Sequence, residues 1–262
     1  KNSVISKIIM VNAKIMRGGN NVYRIYRQGG LVYMLKISVV GCTGKLGSII
    51  AKKIYSTGNL ELFNAIGRKG NKYIGQDISS IIGGQERRLE IGDSIANADV
   101  CDVFIDCTNA GNLLSNNYEQ YLSIKKPVVI ATTGFDAAGM ERLKELSRNI
   151  PVMQSGNFSI ALHDFIETLK FAVSRVSDDT DVSIIELHHN QKKDAPSGTA
   201  IMIQEALINN NSRLNYNNVH ISSIRGGTIV GEHQVIFAYC IDEVTEYRHQ
   251  LSSIEALSNW VI

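Results

Sequence analysis

Cysteine is scarce in this sequence, and its placement excludes several chemistries. Of 262 residues only Cys42, Cys101, Cys107 and Cys240 are cysteine, with no CxxC pair and no metal-like spacing to a histidine. In a chain of this size they read as reduced thiols, which places the expected location in the cytoplasm. No apolar run approaches the roughly 20 residues needed to cross a bilayer, so no membrane partner is expected. A nucleic-acid partner is excluded on charge. The formal net charge is +2, but Lys1, Lys7, Lys14, Arg17, Arg24 and Arg27 all fall in the first 34 residues, which hold no Asp or Glu. The other 21 basic residues face 25 acidic ones, leaving no cationic surplus for phosphates. Asp99, Asp102 and Asp106 are spaced like the rim of a strand, and no histidine or cysteine set completes a cage around them, so no metal is expected.

What is present is a soluble globular composition, with 44% hydrophobic and 20% charged residues in a chain long enough for two modest domains. The basic stretch 1–34 has the look of a transit peptide. The plainer reading is an upstream extension, because Met34 opens Met-Leu-Lys-Ile-Ser-Val-Val-Gly, the pattern with which a compact fold begins. From there, strands are expected at Leu35–Val40, Leu60–Ile66, Asp102–Cys107, Pro127–Ala131 and Ile150–Gln154. Helices are expected at Tyr118–Ile124 and Ala137–Ser147. Strands alternating with helices predict an α/β unit, a doubly wound parallel sheet over residues 35–155. A long helix over Phe158–Val176 follows. Strands at Asp181–Leu187, Val219–Ile224, Val235–Ile241 and Val244–Arg248 then predict a second, α+β domain over 156–248 with an open, mostly antiparallel sheet. Residues 249–262 are expected to return to the first domain.

Two motifs carry chemistry. Gly41-Cys42-Thr43-Gly44-Lys45-Leu46-Gly47 lies between the first strand and a helix marked by Leu46, Ile49, Ile50 and Ile54. Glycines at this spacing allow a tight turn, close approach of a pyrophosphate, and packing of the helix against the sheet. The helix start offers N–H groups and partial positive charge to the phosphates. After the second strand, Gly67-Arg68-Lys69 lacks the carboxylate that accepts from a ribose 2′-hydroxyl in NAD-selective loops. Arg68 suits a 2′-phosphate, so NADPH is favoured over NADH. Cys42 is read as a small residue that fits the turn.

The second motif runs from Glu186 to Ala200 and contains His188, His189, Lys192, Lys193 and the turn Pro196-Ser197-Gly198-Thr199. Imidazoles and ammonium groups beside a helix start can bind a carboxylate and deliver a proton. Downstream, Arg225-Gly226-Gly227 places a guanidinium on a glycine-rich loop, suited to a second carboxylate. Glu232 and His233 follow on that loop and read as a structural pair.

With these motifs in this order, together with Ala131-Thr132-Thr133-Gly134-Phe135-Asp136 and Ser155-Gly156-Asn157-Phe158-Ser159, the chain resembles the dihydrodipicolinate reductase family over about residues 35–250. The resemblance implies a Rossmann-type domain, a second domain whose sheet builds a homotetramer, and NADPH or NADH as hydride donor. The implied substrate is a small cyclic imine dicarboxylate of the diaminopimelate and lysine pathway. By position it implies His188 and Lys192 as proton donors and His189, Gly198, Thr199 and Arg225 as substrate contacts. Gly41, Cys42, Thr43, Gly44, Lys45, Leu46, Ala131, Thr132, Thr133, Ser155, Gly156, Asn157 and Phe158 are implied to hold the cofactor, with Arg68. Gly67 replaces the acidic residue of many NADH-using members, and Gln250 to Leu257 departs from the usual tail. The residues alone leave two other readings open: a different dinucleotide-dependent dehydrogenase of similar layout, or a non-catalytic NADP sensor.

Overall fold

The computed structural model describes residues 14–16, 34–95 and 100–258. Asp99 and most of the basic extension lie outside the described residues. The chain divides into two compact units, one made of the residues up to Phe158 together with Ser258 and one spanning Ser159–Leu257.

The first unit is a seven-stranded sheet. Its strands are β1 (Lys14–Met16), β2 (Leu35–Val40), β3 (Leu60–Ile66), β4 (Ile91–Gly92), β5 (Val103–Asp106), β6 (Val128–Ile130) and β7 (Val152–Gln154). They lie in the order β1-β7-β6-β5-β2-β3-β4. All ladders are parallel except β1 with β7, which is antiparallel. From β4 inward, the order reverses direction at β2 and β5, as in a doubly wound dinucleotide fold. The helices are α1 (Lys45–Tyr55), α2 (Ser79–Ile82), α3 (Ala110–Asn112), α4 (Tyr118–Ile124) and α5 (Ala137–Ser147). A π-helical turn, Leu113–Asn117, joins α3 to α4.

Burial on both faces explains the apolar character of these strands. Ile37 and Val39 of β2 join one core with Ile50, Ala51 and Ile54 of α1. Val40, next along the strand, turns to the other core with Tyr121 and Leu143. Gly47, Ile50, Ala51 and Ile54 are the buried residues of α1, spaced as one helical stripe. α5 starts where Asp136 accepts from Gly139 N at 2.7 Å, a side-chain N-cap.

The second unit opens with α6 (Ile160–Val173), shorter at both ends than the expected 158–176. Ser159 caps it by accepting from Leu162 N, which sets its start. Four strands follow: β8 (Asp181–His188), β9 (Val219–Arg225), β10 (Gly231–Tyr239) and β11 (Glu243–Leu251), with α7 (Gly198–Asn210) between β8 and β9. The order is β11-β10-β8-β9, with β8 parallel to β9 and the other two ladders antiparallel. α6 and α7 share a core with the sheet through Leu162, Ile166, Leu169, Ile203, Leu207, Ile184, Val235 and Phe237. β11 runs through Leu251, so residues 249 to 257 stay with this unit, and Ser258, within the segment expected to return, falls with the first unit.

Candidate active site

In the first unit, the expected cofactor residues sit at the carboxyl ends of the parallel strands. Gly41 to Leu46 follow β2, Arg68 follows β3, Ala131 to Thr133 follow β6, and Ser155 to Phe158 follow β7. Ligands of open α/β sheets bind at this edge, where the strand order reverses. The loop after β2 requires its glycines. Gly41 has φ +86°, and a Cβ there would lie 2.8 Å from Cys107 O. A Cβ on Gly47 would come 2.2 Å from Gly41 O. Gly41 N and Cys42 N both donate to Ile66 O, at 2.7 and 3.0 Å, and Gly44 N donates to Gly41 O. The amides that start α1 therefore come from Lys45, Leu46 and Gly47, ahead of the first helical bond, from Ser48 N to Gly44 O. This glycine cradle and helix start fit a dinucleotide pyrophosphate.

The cysteine in this loop packs its side chain into the core beside β2 and α1. Cys42 is fully buried, and burial pushes its thiol up to about 12. Gly67 is buried, whereas Arg68 and Lys69 are exposed. A Cβ on Gly67 would lie 3.0 Å from both Ile74 Cδ1 and Thr43 Cγ2, so a side chain enters only if these neighbours move. Thr132 faces inward, with Oγ1 3.5 Å from Asp106 Oδ1, while Thr133 is exposed. Asp106 is a buried hub. It accepts from Thr108 N, Thr108 Oγ1, Asn117 Nδ2 and Tyr121 Oη at 2.6–2.9 Å, which ties the loop after β5 to α4. Asp102 accepts from Lys36 N. Both aspartates are thus engaged in holding strand ends.

In the second unit, strand alternation places the chemistry. On β8, Val182, Ile184, Glu186 and His188 share the buried face, so the row that begins in the apolar core ends in a carboxylate and an imidazole. Glu186 and His188 are 0% and 7% exposed. Glu186 Oε2 hydrogen-bonds His188 Nδ1, and Glu186 Oε1 accepts from Arg225 Nη2 at 2.7 Å. Arg225 is the last residue of β9, paired with His188 in the parallel ladder. It donates further to Asp194 O at 2.6 Å and to Ile224 O. The guanidinium expected on a loop is thus a strand residue bonded to protein acceptors.

His233 was read as a loop residue paired with Glu232. It lies within β10 instead, directly opposite Glu186 on one side and His249 on the other. Neighbouring strand residues face opposite ways, so Glu232 points to the other face and pairs with Arg248. His233 is 1% exposed, with its ring 5.3 Å from that of His188 and 6.4 Å from that of His249. Its Nε2 lies 3.3 Å from Ser197 Oγ. Ser197 caps α7 by accepting from Ala200 N, so Gly198 and Thr199 supply the first amides of that helix. Lys192 Nζ lies 2.9 Å from Asp194 Oδ2, and Lys192 N donates to His189 O. His189 and Lys192 are half-buried.

Burial holds His188 below the ordinary imidazole range, against the hydrogen bond and charge of Glu186, which raise it; Lys192 and Arg225 lower it further. Burial also acts to raise Glu186, but hydrogen bonds from Arg225, Ser223 and His188 outweigh it and leave the carboxyl below its usual range. The resting pair is therefore carboxylate and neutral imidazole. Potential ligand atoms of Glu186, His188 and His233 lie within 4.8 Å of one another. Two of them are already hydrogen-bonded to each other, and the Arg225 guanidinium stands on the same carboxylate, which opposes a cation.

The motifs by themselves give Glu186, His233 and His249 no part in the site. Period-two alternation along β8 is the signal that groups Glu186 with His188; the two other histidines needed the strand register.

The profile described as dihydrodipicolinate reductase, N-terminus, matches residues 35–158, and that described as dihydrodipicolinate reductase, C-terminus, matches residues 163–259. A 4-hydroxy-tetrahydrodipicolinate reductase of Geotalea daltonii is 36% identical over 221 residues, covering 78% of this chain and 82% of that protein. One of Buchnera aphidicola subsp. Baizongia pistaciae is 34% identical over 245 residues, covering 87% and 89%. Among solved structures, a dipicolinate-bound dihydrodipicolinate reductase from Paenisporosarcina sp. TG-14 superposes with a TM-score of 0.66 at 22% identity, covering 87% of this chain and 92% of that one.

Proposed function

The chain belongs to the dihydrodipicolinate reductase family, and from that premise we propose that it reduces 4-hydroxy-tetrahydrodipicolinate to tetrahydrodipicolinate, with NADPH or NADH as donor, in diaminopimelate and lysine biosynthesis. The observation that carries the reading is the buried Glu186–His188 pair beside Lys192 and the start of α7. A dinucleotide sensor has no need of a proton-transfer group poised in this way.

The reduced nicotinamide, when bound, supplies hydride to the conjugated ring of the substrate. Gly41 to Leu46 would hold its pyrophosphate, with the free amides of the α1 start as donors, and Ala131 to Thr133 and Ser155 to Phe158 would line the rest of its site. Electron density that develops on the ring is quenched by a proton. His188 takes up a proton from solvent at Nε2 and passes it to a ring carbon, while Glu186 balances the charge of the transient imidazolium. Lys192 acts as the second acid and assists loss of the ring hydroxyl as water. His189 and the amides of Gly198 and Thr199 bind substrate carboxylate, the helix start favouring the anion. Arg225 adds positive charge at the same place.

Three finer statements belong to the same reading. NADPH is preferred, supported by the missing carboxylate and crowded Cβ position at Gly67 and by the exposed Arg68 and Lys69. The chain forms a homotetramer through the sheet of the second unit. Ile224 and Val244, on the face of that sheet turned away from α6 and α7, are 47% and 60% exposed. It acts in the cytoplasm; among the described residues, no helix is long and apolar enough to cross a membrane.

Purified protein should oxidise NADPH when given the condensation product of aspartate semialdehyde and pyruvate, and not when given either precursor alone. Absence of turnover by a folded sample that binds NADPH would refute the reading. Sedimentation at micromolar concentration tests the tetramer.

A further inference from the structure

Glu186 has a second role that the reaction scheme does not require of it. Its carboxylate is fully buried and uses both oxygens, Oε2 on His188 Nδ1 and Oε1 on Arg225 Nη2. One side chain thus fixes the ring of the proton-transfer histidine and the guanidinium at the end of the adjacent strand, 39 residues away. The register explains why only position 186 can do this. His188 and Arg225 are paired across the parallel β8–β9 ladder, and Glu186 lies two residues back on the same face. Ser223 of β9 and His233 of β10 flank it in register. Among the described residues, the other charged or titratable groups around the pair are Lys192 and its partner Asp194 on the following turn and His249 of β11 beyond His233. From α6 and α7 the neighbours of this histidine row are Phe165, against His249, and Ser197, against His233.

We propose that Glu186 is a positioning residue that locks His188 in the Nδ1–H tautomer, so that Nε2 is the atom that carries the proton, and that it couples this tautomer to the placement of Arg225. The inference rests on the reading of His188 as the acid. A neutral imidazole has two tautomers, and the partner of one nitrogen decides which is populated. An acceptor-only carboxylate admits only N–H at Nδ1. It also stabilises the imidazolium during transfer, as an adjacent carboxylate does for other proton-transfer histidines. Glutamine at 186 keeps the size of the side chain but offers either an acceptor or a donor to His188, and supplies no charge.

The test combines kinetics with imidazole ¹⁵N and ¹³C resonances. In the wild-type protein the His188 signals should report Nδ1–H; an Nε2–H tautomer would overturn the proposal without any variant being made. Glu186→Gln should lower kcat about a hundredfold, leave NADPH affinity unchanged, and shift the His188 titration to lower pH. Glu186→Asp should recover most of the turnover and restore the titration, because the charge returns. A Glu186→Gln protein with wild-type turnover and an unmoved His188 titration would overturn the proposal. His188→Gln separates the two ideas. If it turns over normally, the reading of His188 fails; if it is inactive while Glu186→Gln is normal, only the role of Glu186 fails.

Discussion

Gly231 faces the imidazole of His188, and a Cβ at this position would lie 3.1 Å from Nε2 and 3.4 Å from Cδ2. Gly231 is one residue beyond the Glu232–Leu187 pair of the β8–β10 ladder, so its missing side chain leaves room for the ring. Gly231→Ala should place a methyl against Nε2 and displace the imidazole by a few tenths of an ångström. Turnover is expected to fall about ten- to hundredfold with cofactor affinity unchanged, since small misplacements of a reacting group are costly. Steady-state kinetics beside a cofactor titration check this; equal activity in the alanine variant would mean that Nε2 is not the reacting atom.

His188→Gln and Lys192→Ala remove the two proposed acids. Each should lower kcat by about a hundredfold or more and leave NADPH binding nearly intact. Fluorescence titration with NADPH and single-turnover kinetics give the two readouts. Parallel loss of cofactor affinity in both variants would assign these side chains to the fold instead.

Arg68 is exposed and stands next to the buried Gly67 at the end of β3. Arg68→Ala should raise the KM for NADPH roughly tenfold or more and change the KM for NADH little, because only the 2′-phosphate is lost as a partner. Similar changes with both cofactors would remove the basis for an NADPH preference.

The buried histidine row makes the second unit acid-sensitive. His233 is pushed down to about 4, first by burial and then by the charges of His188 and His249. Its ordinary value, retained in the unfolded chain, is 6.5. The unfolded chain binds this proton more readily, so protonation favours unfolding. The contribution is intact above pH 6.5 and is lost as the pH falls towards 4, on the order of 3 kcal/mol in all. Burial lowers His188 and His249 as well, so they act in the same direction. Glu186, depressed below its ordinary 4.5, loses its contribution only at lower pH. Denaturant melts between pH 7.5 and 4 should show the decline, and His233→Gln should flatten it. An unchanged slope in that variant would count against the assignment.

Much of the first unit was legible because its signals are local. Leu60–Ile66, Tyr118–Ile124 and Ala137–Ser147 have the bounds that their periodicity predicts. Shorter pieces escaped. The two-residue strand Ile91–Gly92 is too brief to show alternation, and the π-helical turn Leu113–Asn117 breaks the period between two helical segments. In the second unit, Gly231-Glu232-His233 read as loop because a glycine and two polar residues imitate one. The strand starts there because His233 turns inward, to Ser197 and the ring of His188.

The sequence by itself determined the doubly wound sheet, the glycine loop and the grouping of imidazoles and ammonium groups between Glu186 and Ala200, since each is marked by local pattern. Tertiary structure alone decided that Glu186 bonds His188, that the Arg225 guanidinium pairs with that same carboxylate, and that three histidines from three strands share one buried face. The physical reason is register. Alternation says which residues of a strand look the same way, but only the pairing of strands says which of them meet, and burial then sets whether they meet as ions or as neutral partners.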